Sequence, residues 1–192
     1  MRDIDVRKSL LDRLACHFAS DSTTSIVPEL GICQGEARID VAVVNGHLHG
    51  FEIKSDSDTL ARLPRQVELY GTTFDFVTLV VGSRHAPEVG DLVPVWWGIV
   101  EAIDHPDGVA LIDRRPPRPN PGRSGREVAR LLWREEALAL LADHGLDAGI
   151  RSKPKKVLYE RIGDSLPLDT VSSFVRLTLK SRDGWRPDAR PV

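Results

Sequence analysis

Two short segments put polar side chains where a sheet should be apolar. In Arg38-Ile-Asp-Val-Ala-Val-Val44, Arg38 and Asp40 fall on one face of an extended strand, with Ile39, Val41 and Val43 on the other. In Leu48-His-Gly-Phe-Glu-Ile-Lys54, Glu52 and Lys54 share a face, opposite Phe51 and Ile53. Asn45-Gly46 between them is a hairpin signal. A two-residue turn would set Asp40 against Phe51. A three-residue loop, Asn45-Gly46-His47, sets Val44 against Leu48, Ala42 against Gly50, Asp40 against Glu52 and Arg38 against Lys54. The longer loop is the expectation, because it separates polar from apolar rows more cleanly.

Two carboxylates directly opposite each other repel, and a cation between them relieves the repulsion. Hard oxygen ligands, few in number and leaving room for water and phosphate, suit Mg²⁺ (or Mn²⁺) better than Zn²⁺. The backbone carbonyl of Ile53 is a further candidate ligand. Lys54 beside such a metal would stabilise charge developing on an attacked phosphate, or help orient and deprotonate water. On the Glu-x-Lys triplet alone, an exposed strand edge with a surface ion pair is the better reading, because such triplets are common.

These strands need elements to position them. Residues 3–19 carry Ile4, Leu10, Leu11, Leu14 and Phe18 at helical spacing. Residues 25–33 read as an irregular strand. After the hairpin, Ser57 or Asp58 caps a helix running through Leu60, Leu63, Val67 and Tyr70. Phe74 to Val81 is a nearly continuous apolar run that suits a buried strand. Two more strands follow, Val93–Ile103 and Val109–Asp113, around Asp107-Gly108. Trp96 and Trp97 cannot both point inward from a strand, so one is core and the other covers an edge or meets the tail. Arg114–Arg126 carries four prolines, two glycines and five arginines and reads as a linker. Helices are expected over 127–144, 154–162 and 168–180. The division is therefore a core at 1–113, a linker at 114–126 and a basic helical region at 127–192.

An Asp, then eleven residues, then Glu-Ile-Lys, within α-β-β-β-α-β order, resembles the PD-(D/E)XK nuclease superfamily. The likeness covers roughly residues 3–82. Gln66-Val-Glu-Leu-Tyr70 matches the Q-x-x-x-Y motif of RecB-type members, and Gln66 and Tyr70, four apart, share a helix face. The resemblance implies an α/β fold with a restriction-endonuclease-like core and mixed sheet. It also implies a Mg²⁺-dependent nuclease in which Asp40 and Glu52 hold the metal and Gln66 and Tyr70 orient Lys54 or a backbone phosphate. A helix that packs Tyr70 into the core is the competing expectation. The usual proline before the aspartate is replaced by Ile39. The glutamate that many members bring from the first helix is missing, leaving Glu29 as substitute ligand and Glu36 behind it. The chain is similar, too, to a group of short bacterial proteins that carry R-x-D, F-E-I-K-S and R-L-P-x-Q together, a likeness that implies no particular activity.

Composition sets the outer bounds. The 192 residues are 41% hydrophobic and 28% charged, which excludes a disordered tail protein, a collagen-like repeat or a coiled-coil rod. No apolar run approaches the ~20 residues of a membrane helix, and Met1–Leu10 has no signal-peptide core. Cys16 and Cys33, in apolar contexts, read as core filler, and so few cysteines fit a reducing cytoplasm. The net charge of −2 hides a split: residues 1–110 hold 9 Lys/Arg against 17 Asp/Glu, and residues 111–192 hold 17 against 11. The basic end, including Lys153, Lys155, Lys156, Arg186 and Arg190, together with Arg38, would supply phosphate contacts to DNA. The expectation is thus a cytoplasmic, metal-dependent DNA nuclease of repair or phage defence, with no membrane. Its alternatives are a non-catalytic nucleic-acid-binding module or a protein-interaction component. The oligomeric state stays open, a homodimer included.

Overall fold

The computed structural model describes residues 1–182, so Arg186 and Arg190 lie outside the described residues. Its centre is a six-stranded mixed sheet whose spatial order is the chain order: β1 (Ser25–Ile32), β2 (Ala37–Val44), β3 (Leu48–Lys54), β4 (Phe76–Gly82), β5 (Gly98–His105) and β6 (Gly108–Arg115). The β2–β3 hairpin closes through the three-residue loop, with the Asn45 amide donating to the His47 carbonyl at 3.0 Å. Val44 consequently faces Leu48, and Val41 faces Phe51. β1, β2 and β3 run antiparallel, whereas β3–β4 and β4–β5 are parallel. Parallel neighbours need a crossover, and α2 (Leu63–Gly71) and the short α3 (Val89–Leu92) lie in the two connections.

Helices cover both faces. α1 (Asp3–His17) lays Val6, Leu10 and Leu14, four apart, on Val41, Val43, Phe51, Ile53, Val80 and Val100. The sequence pattern had favoured Ile4 for this stripe, but Ile4 is 65% exposed. The 100° advance per residue puts Val6, not Ile4, in line with Leu10 and Leu14. α2 packs on the opposite face together with the C-terminal helices: α4 (Gly125–Ala129), α5 (Arg134–Asp143), α6 (Lys155–Ser165) and α7 (Leu168–Ser181). One hydrophobic cluster runs from Leu30, Ile39 and Leu79 of the sheet through Tyr70 and Trp97 to Leu132, Leu140, Ile162 and Val175.

Several boundaries differ from the sequence reading for local reasons. The helix after Lys54 begins at Leu63 rather than near Asp58. Asp58 instead turns back, its carboxylate accepting from the Ser55 amide and hydroxyl at 2.7 Å each. β5 begins at Gly98, so Trp96 and Trp97 precede the strand. Trp97 is fully buried and stacks on Tyr70, and Trp96 is half-buried beside it. β6 runs on through Arg114 and Arg115, two residues into the Pro/Arg segment, where Arg115 donates to the carbonyls of Trp97 and Pro94. Asn120 then donates to the carbonyls of Gly71 and Phe74 at 2.8 Å. The helix expected over 127–144 is two. Its break at Trp133 frees the carbonyls of Leu131 and Leu132, which accept from Arg182 and Tyr159. Cys33 is buried as expected, but Cys16 is exposed. No helix among the described residues is long and apolar enough to cross a membrane.

Gly163 sits in the interior of α6, where glycine disfavours helix by about 1 kcal/mol relative to alanine. A β-carbon there would lie 2.8 Å from the Arg126 amide nitrogen, so α4 and α6 approach backbone to backbone. Gly163→Ala is therefore expected to destabilise the fold by about 1–3 kcal/mol in urea unfolding, despite the gain in helix propensity.

A carboxylate row in an open cleft

The candidate site begins with the register. β1 and β2 pair as Pro28 with Val41 and Leu30 with Ile39, and β2 and β3 pair as Val41 with Phe51. Extending both ladders by one step puts Glu29 opposite Asp40, and Asp40 opposite Glu52. Neither of these pairs forms. Glu29 takes a left-handed backbone (φ 57°), a strained conformation for a residue with a side chain. The alternation of faces slips at this row: Val27 and Leu30, three apart, join the same cluster, and so do Ile39 and Ala42. Ile39 therefore faces away from Val41 and Val43, which corrects the assignment of all three to one face. The β1–β2 ladder skips Glu29 and Asp40 and resumes at Leu30 and Ile39, and the β2–β3 ladder ends before Asp40 and Glu52, so both interruptions fall where directly opposed like charges would be destabilising.

Each carboxylate has its own basic partner. Arg7, from α1, reaches Asp40 Oδ1 and Glu29 Oε1 at 2.6 Å each and the Asp40 carbonyl at 3.1 Å. Arg38 lies 3.2 Å from Glu29 Oε2. Glu52 is 2% exposed and is bonded by Lys54, which is 4% exposed. Around Glu52 the helix α2 completes the shell: Gln66 Nε2 donates to Oε1 at 2.5 Å, and the Tyr70 hydroxyl donates to Oε2 at 2.7 Å. Tyr70 is wholly buried in the core and also bonded to Glu52, so both expectations for it hold at once. Gln66 spends its second N–H on the Tyr70 oxygen at 3.2 Å, and its Oε1 is buried without a hydrogen-bond partner among the described residues.

Electrostatics follow from burial. Burial raises the Asp40 carboxyl above the ordinary carboxylate range, against the pull of the Ile53 amide and Arg7. Glu52 is raised likewise, by burial first and then by the charge of Asp40, with Lys54 and Tyr70 pulling it down. Burial opposes the charge of Arg7, but Asp40, Asp3 and Glu29 outweigh it and hold the guanidinium above its ordinary value. Tyr70 is held protonated, by burial and by Glu52.

The row opens on a cleft of about 460 Å³ lined by Glu29, Arg38, Asp40, Glu52, Lys54 and Gln66, with Arg62 and Arg65 among the remaining lining residues. The structure thus brings together Arg38, Asp40, Glu52, Ile53, Lys54, Gln66 and Glu29. Glu36 stands at the rim, paired with Arg65 and Arg130. Tyr70 lies behind the cleft. Lys153, Lys155 and Lys156 are not part of its lining: they occupy the loop before α6 and its first turn. Arg7 is the residue the sequence reading missed. It follows Val6 in the chain, so a stripe drawn through Val6, Leu10 and Leu14 would have put it at the border of the buried face.

The donor chemistry fits a hard cation in part. The charge of Asp40 raises the proton affinity of Glu52, and Gln66 Oε1 has no hydrogen-bond partner among the described residues. The Ile53 amide donates to Asp40 Oδ2 at 2.7 Å. In an extended strand the N–H and C=O of one residue point to the same side, so the Ile53 carbonyl also faces the gap left by β2. Among the described residues, no three or more His, Cys, Asp or Glu side chains converge as a metal-binding group. A cation here would take its remaining ligands from water and from what it binds, the habit of Mg²⁺.

Comparison with known proteins gives a different affiliation from the motif. The family model described as Bacteriophage P4 protein cII matches residues 1–186. Protein cII of Enterobacteria phage P4 is 28% identical over 193 residues, covering 95% of this chain and 68% of that protein. No solved structure matches. The match is to the protein cII family and not to the PD-(D/E)XK superfamily, and it overturns the expectation of a metal-dependent nuclease acting as a phosphodiester hydrolase. The motif misled because a D-x₁₁-E-x-K spacing with Q-x-x-x-Y fixes a polar cluster on two strands and a helix, and such a cluster carries no activity by itself.

The compensation within the row is open to direct measurement. Lys54→Met leaves Glu52 buried without its cation, and is expected to cost about 3–5 kcal/mol in urea unfolding. The double variant Lys54→Met with Glu52→Gln removes both charges and should recover most of that loss.

Proposed function

For this chain, which belongs to the bacteriophage P4 protein cII family, we propose that the cleft is a binding site for a divalent cation, Mg²⁺ or Mn²⁺, and through it for the phosphate backbone of DNA. The observation that carries this reading is that Asp40 and Glu52 line one cleft together with Gln66, whose buried Oε1 has no hydrogen-bond partner among the described residues. Asp40, Glu52 and the Ile53 carbonyl would hold the ion, with Glu29 as the further oxygen donor on the row. A bound cation supplies positive charge that a phosphate oxygen can coordinate. The chain's own residues do the rest. Lys54 neutralises Glu52, Gln66 and Tyr70 fix the position of that carboxylate, and Arg38 stands at the wall as a direct phosphate contact.

DNA is favoured over a small anion by the basic stretch that opens α6. Lys153 and Lys156 are exposed and Lys155 is half-buried, and none of the three makes an ion pair among the described residues. Phosphate contacts of this kind are independent of sequence and weaken with salt. As a fold, we read the α-β-β-β-α-β order of α1 to β4 as restriction-endonuclease-like, supported by the antiparallel β1–β2–β3 unit followed by the parallel β4; that reading carries no activity.

The test is calorimetric titration of the purified chain with MgCl₂ and MnCl₂, followed by fluorescence anisotropy with labelled duplex and single-stranded oligonucleotides. Saturable cation binding is expected, weakened about tenfold or more by Asp40→Asn. DNA affinity should fall when the cation is chelated. The triple variant of Lys153, Lys155 and Lys156 to Ala should weaken binding alike on all sequences, with each lysine lowering the salt slope by about 1. No heat with either cation, and no DNA binding that depends on it, would overturn the proposal.

A further inference from the structure

The two edges of the sheet are not alike. β1 carries Pro28 inside the strand and a left-handed Glu29 next to it, and both features spoil an edge for further pairing. β6 has neither. It is paired on one side only, by β5, and its ladder runs from Val109 to Asp113 without a bulge or a proline. Among the described residues no backbone hydrogen bond reaches its outer side. The Leu111 carbonyl accepts from the Arg13 side chain at 3.4 Å, so it points away from β5. In an antiparallel strand alternate residues turn their backbone groups the same way, so Val109 and Asp113 also present theirs outward.

The side chains along this edge complement themselves. Val109 and Leu111 pack towards α1, which leaves Ala110 and the 39% exposed Ile112 on the other face. Charge is divided between the ends: Asp107 stands exposed in the turn before the strand, and Arg114 stands exposed at its far end, paired with Glu101 of its own chain at 2.7 Å. We propose that β6 is a self-association edge, on which a second copy of this chain adds its own β6 antiparallel, about a two-fold axis through Leu111. That register sets Leu111 against Leu111 of the second copy and Val109 against Asp113, so every outward-facing residue of the run gains a backbone partner. Ala110 falls against Ile112 on either side of the axis. Asp107 comes beside Arg114 of the second copy at both ends, whereas parallel pairing would set like charges together. Arg13 is the one side chain to move: it gives up the Leu111 carbonyl and keeps the Asp113 carboxylate, which it bonds at 2.7 Å. β4 and β5 separate this edge from β3, so the pairing leaves the cleft open and does not rest on the cation reading.

So short a run of paired strand belongs with small, transient interfaces. Sedimentation velocity of the purified chain from about 5 to 500 μM should show a reversible monomer–dimer equilibrium with a midpoint on the order of 10–100 μM, weakened by added salt. Asp107→Arg and Arg114→Asp should each weaken the dimer about tenfold. An equimolar mixture of the two variants should restore it, because the mixed dimer has opposite charges at both contacts. Hydrogen exchange of the wild-type chain should slow at the Val109, Leu111 and Asp113 amides as concentration rises, and this measurement decides if either variant fails to fold. A chain that stays monomeric at 500 μM overturns the proposal and leaves the edge to a strand of another protein. A dimer that ignores both charge reversals, or exchange at those three amides that ignores concentration, also overturns it by placing the contact elsewhere.

Discussion

The sheet is organised by one electrostatic constraint: three acidic residues, Glu29, Asp40 and Glu52, fall on one row of three neighbouring antiparallel strands. Side by side in a regular ladder they would repel at close range in a poorly solvated place. The molecule meets this in two ways. Backbone pairing is given up at that row, with Glu29 turned left-handed and Asp40 accepting from the Ile53 amide instead of entering a ladder. Basic side chains are then drawn in: Arg7 and Arg38 on Glu29, Arg7 on Asp40, and Lys54 on Glu52. The three formal negative charges meet three formal positive ones. The cleft opens where the β2–β3 ladder ends, and its polarity comes from the charged residues that line it.

Much of this was legible in the sequence. The Glu52–Lys54 pair on one strand, the three-residue hairpin and the i, i+4 placement of Gln66 and Tyr70 follow from periods of 2 and 3.6, and the structure reproduces these. What periodicity could not reach was the slip of faces at Glu29 and Asp40, because period-2 reasoning assumes an unbroken strand. Ile39 went to the wrong face for that reason alone. Arg7 was missed because apolar periodicity passes over a charged residue, although at i+3 from Ile4 and i−4 from Leu11 it falls within the stripe itself. The break at Trp133 leaves no mark in composition, as no proline or glycine stands there. It is fixed by distant partners, Tyr159 and Arg182, that donate hydrogen bonds to the freed carbonyls.

The motif and the family affiliation pull apart, and the reason is physical. A spacing such as D-x₁₁-E-x-K specifies where carboxylates and a lysine stand on a hairpin, and the structure places them as the spacing demands. It does not specify what else reaches them. In this chain the first helix brings a guanidinium to Asp40, where the resemblance implied an acidic residue from the same helix. A carboxylate there would add a ligand, and an arginine occupies one. The same hairpin triplet therefore sits in an electrostatic setting of the opposite sign on that side.

That single difference also ties the site to the stability of the fold. Arg7 follows Val6, which is fully buried under the sheet with Leu10 and Leu14, so docking of α1 and neutralisation of Asp40 are the same event. Ion pairs this enclosed are poor stabilisers in themselves, because desolvation offsets most of the attraction. Their consequence is specificity: any arrangement of α1 that withdraws Arg7 leaves Asp40 and Glu29 without their shared partner, and any register of β2 that restores the ladder brings three carboxylates together. The charged row, more than the hydrophobic contact beside it, fixes where the first helix sits.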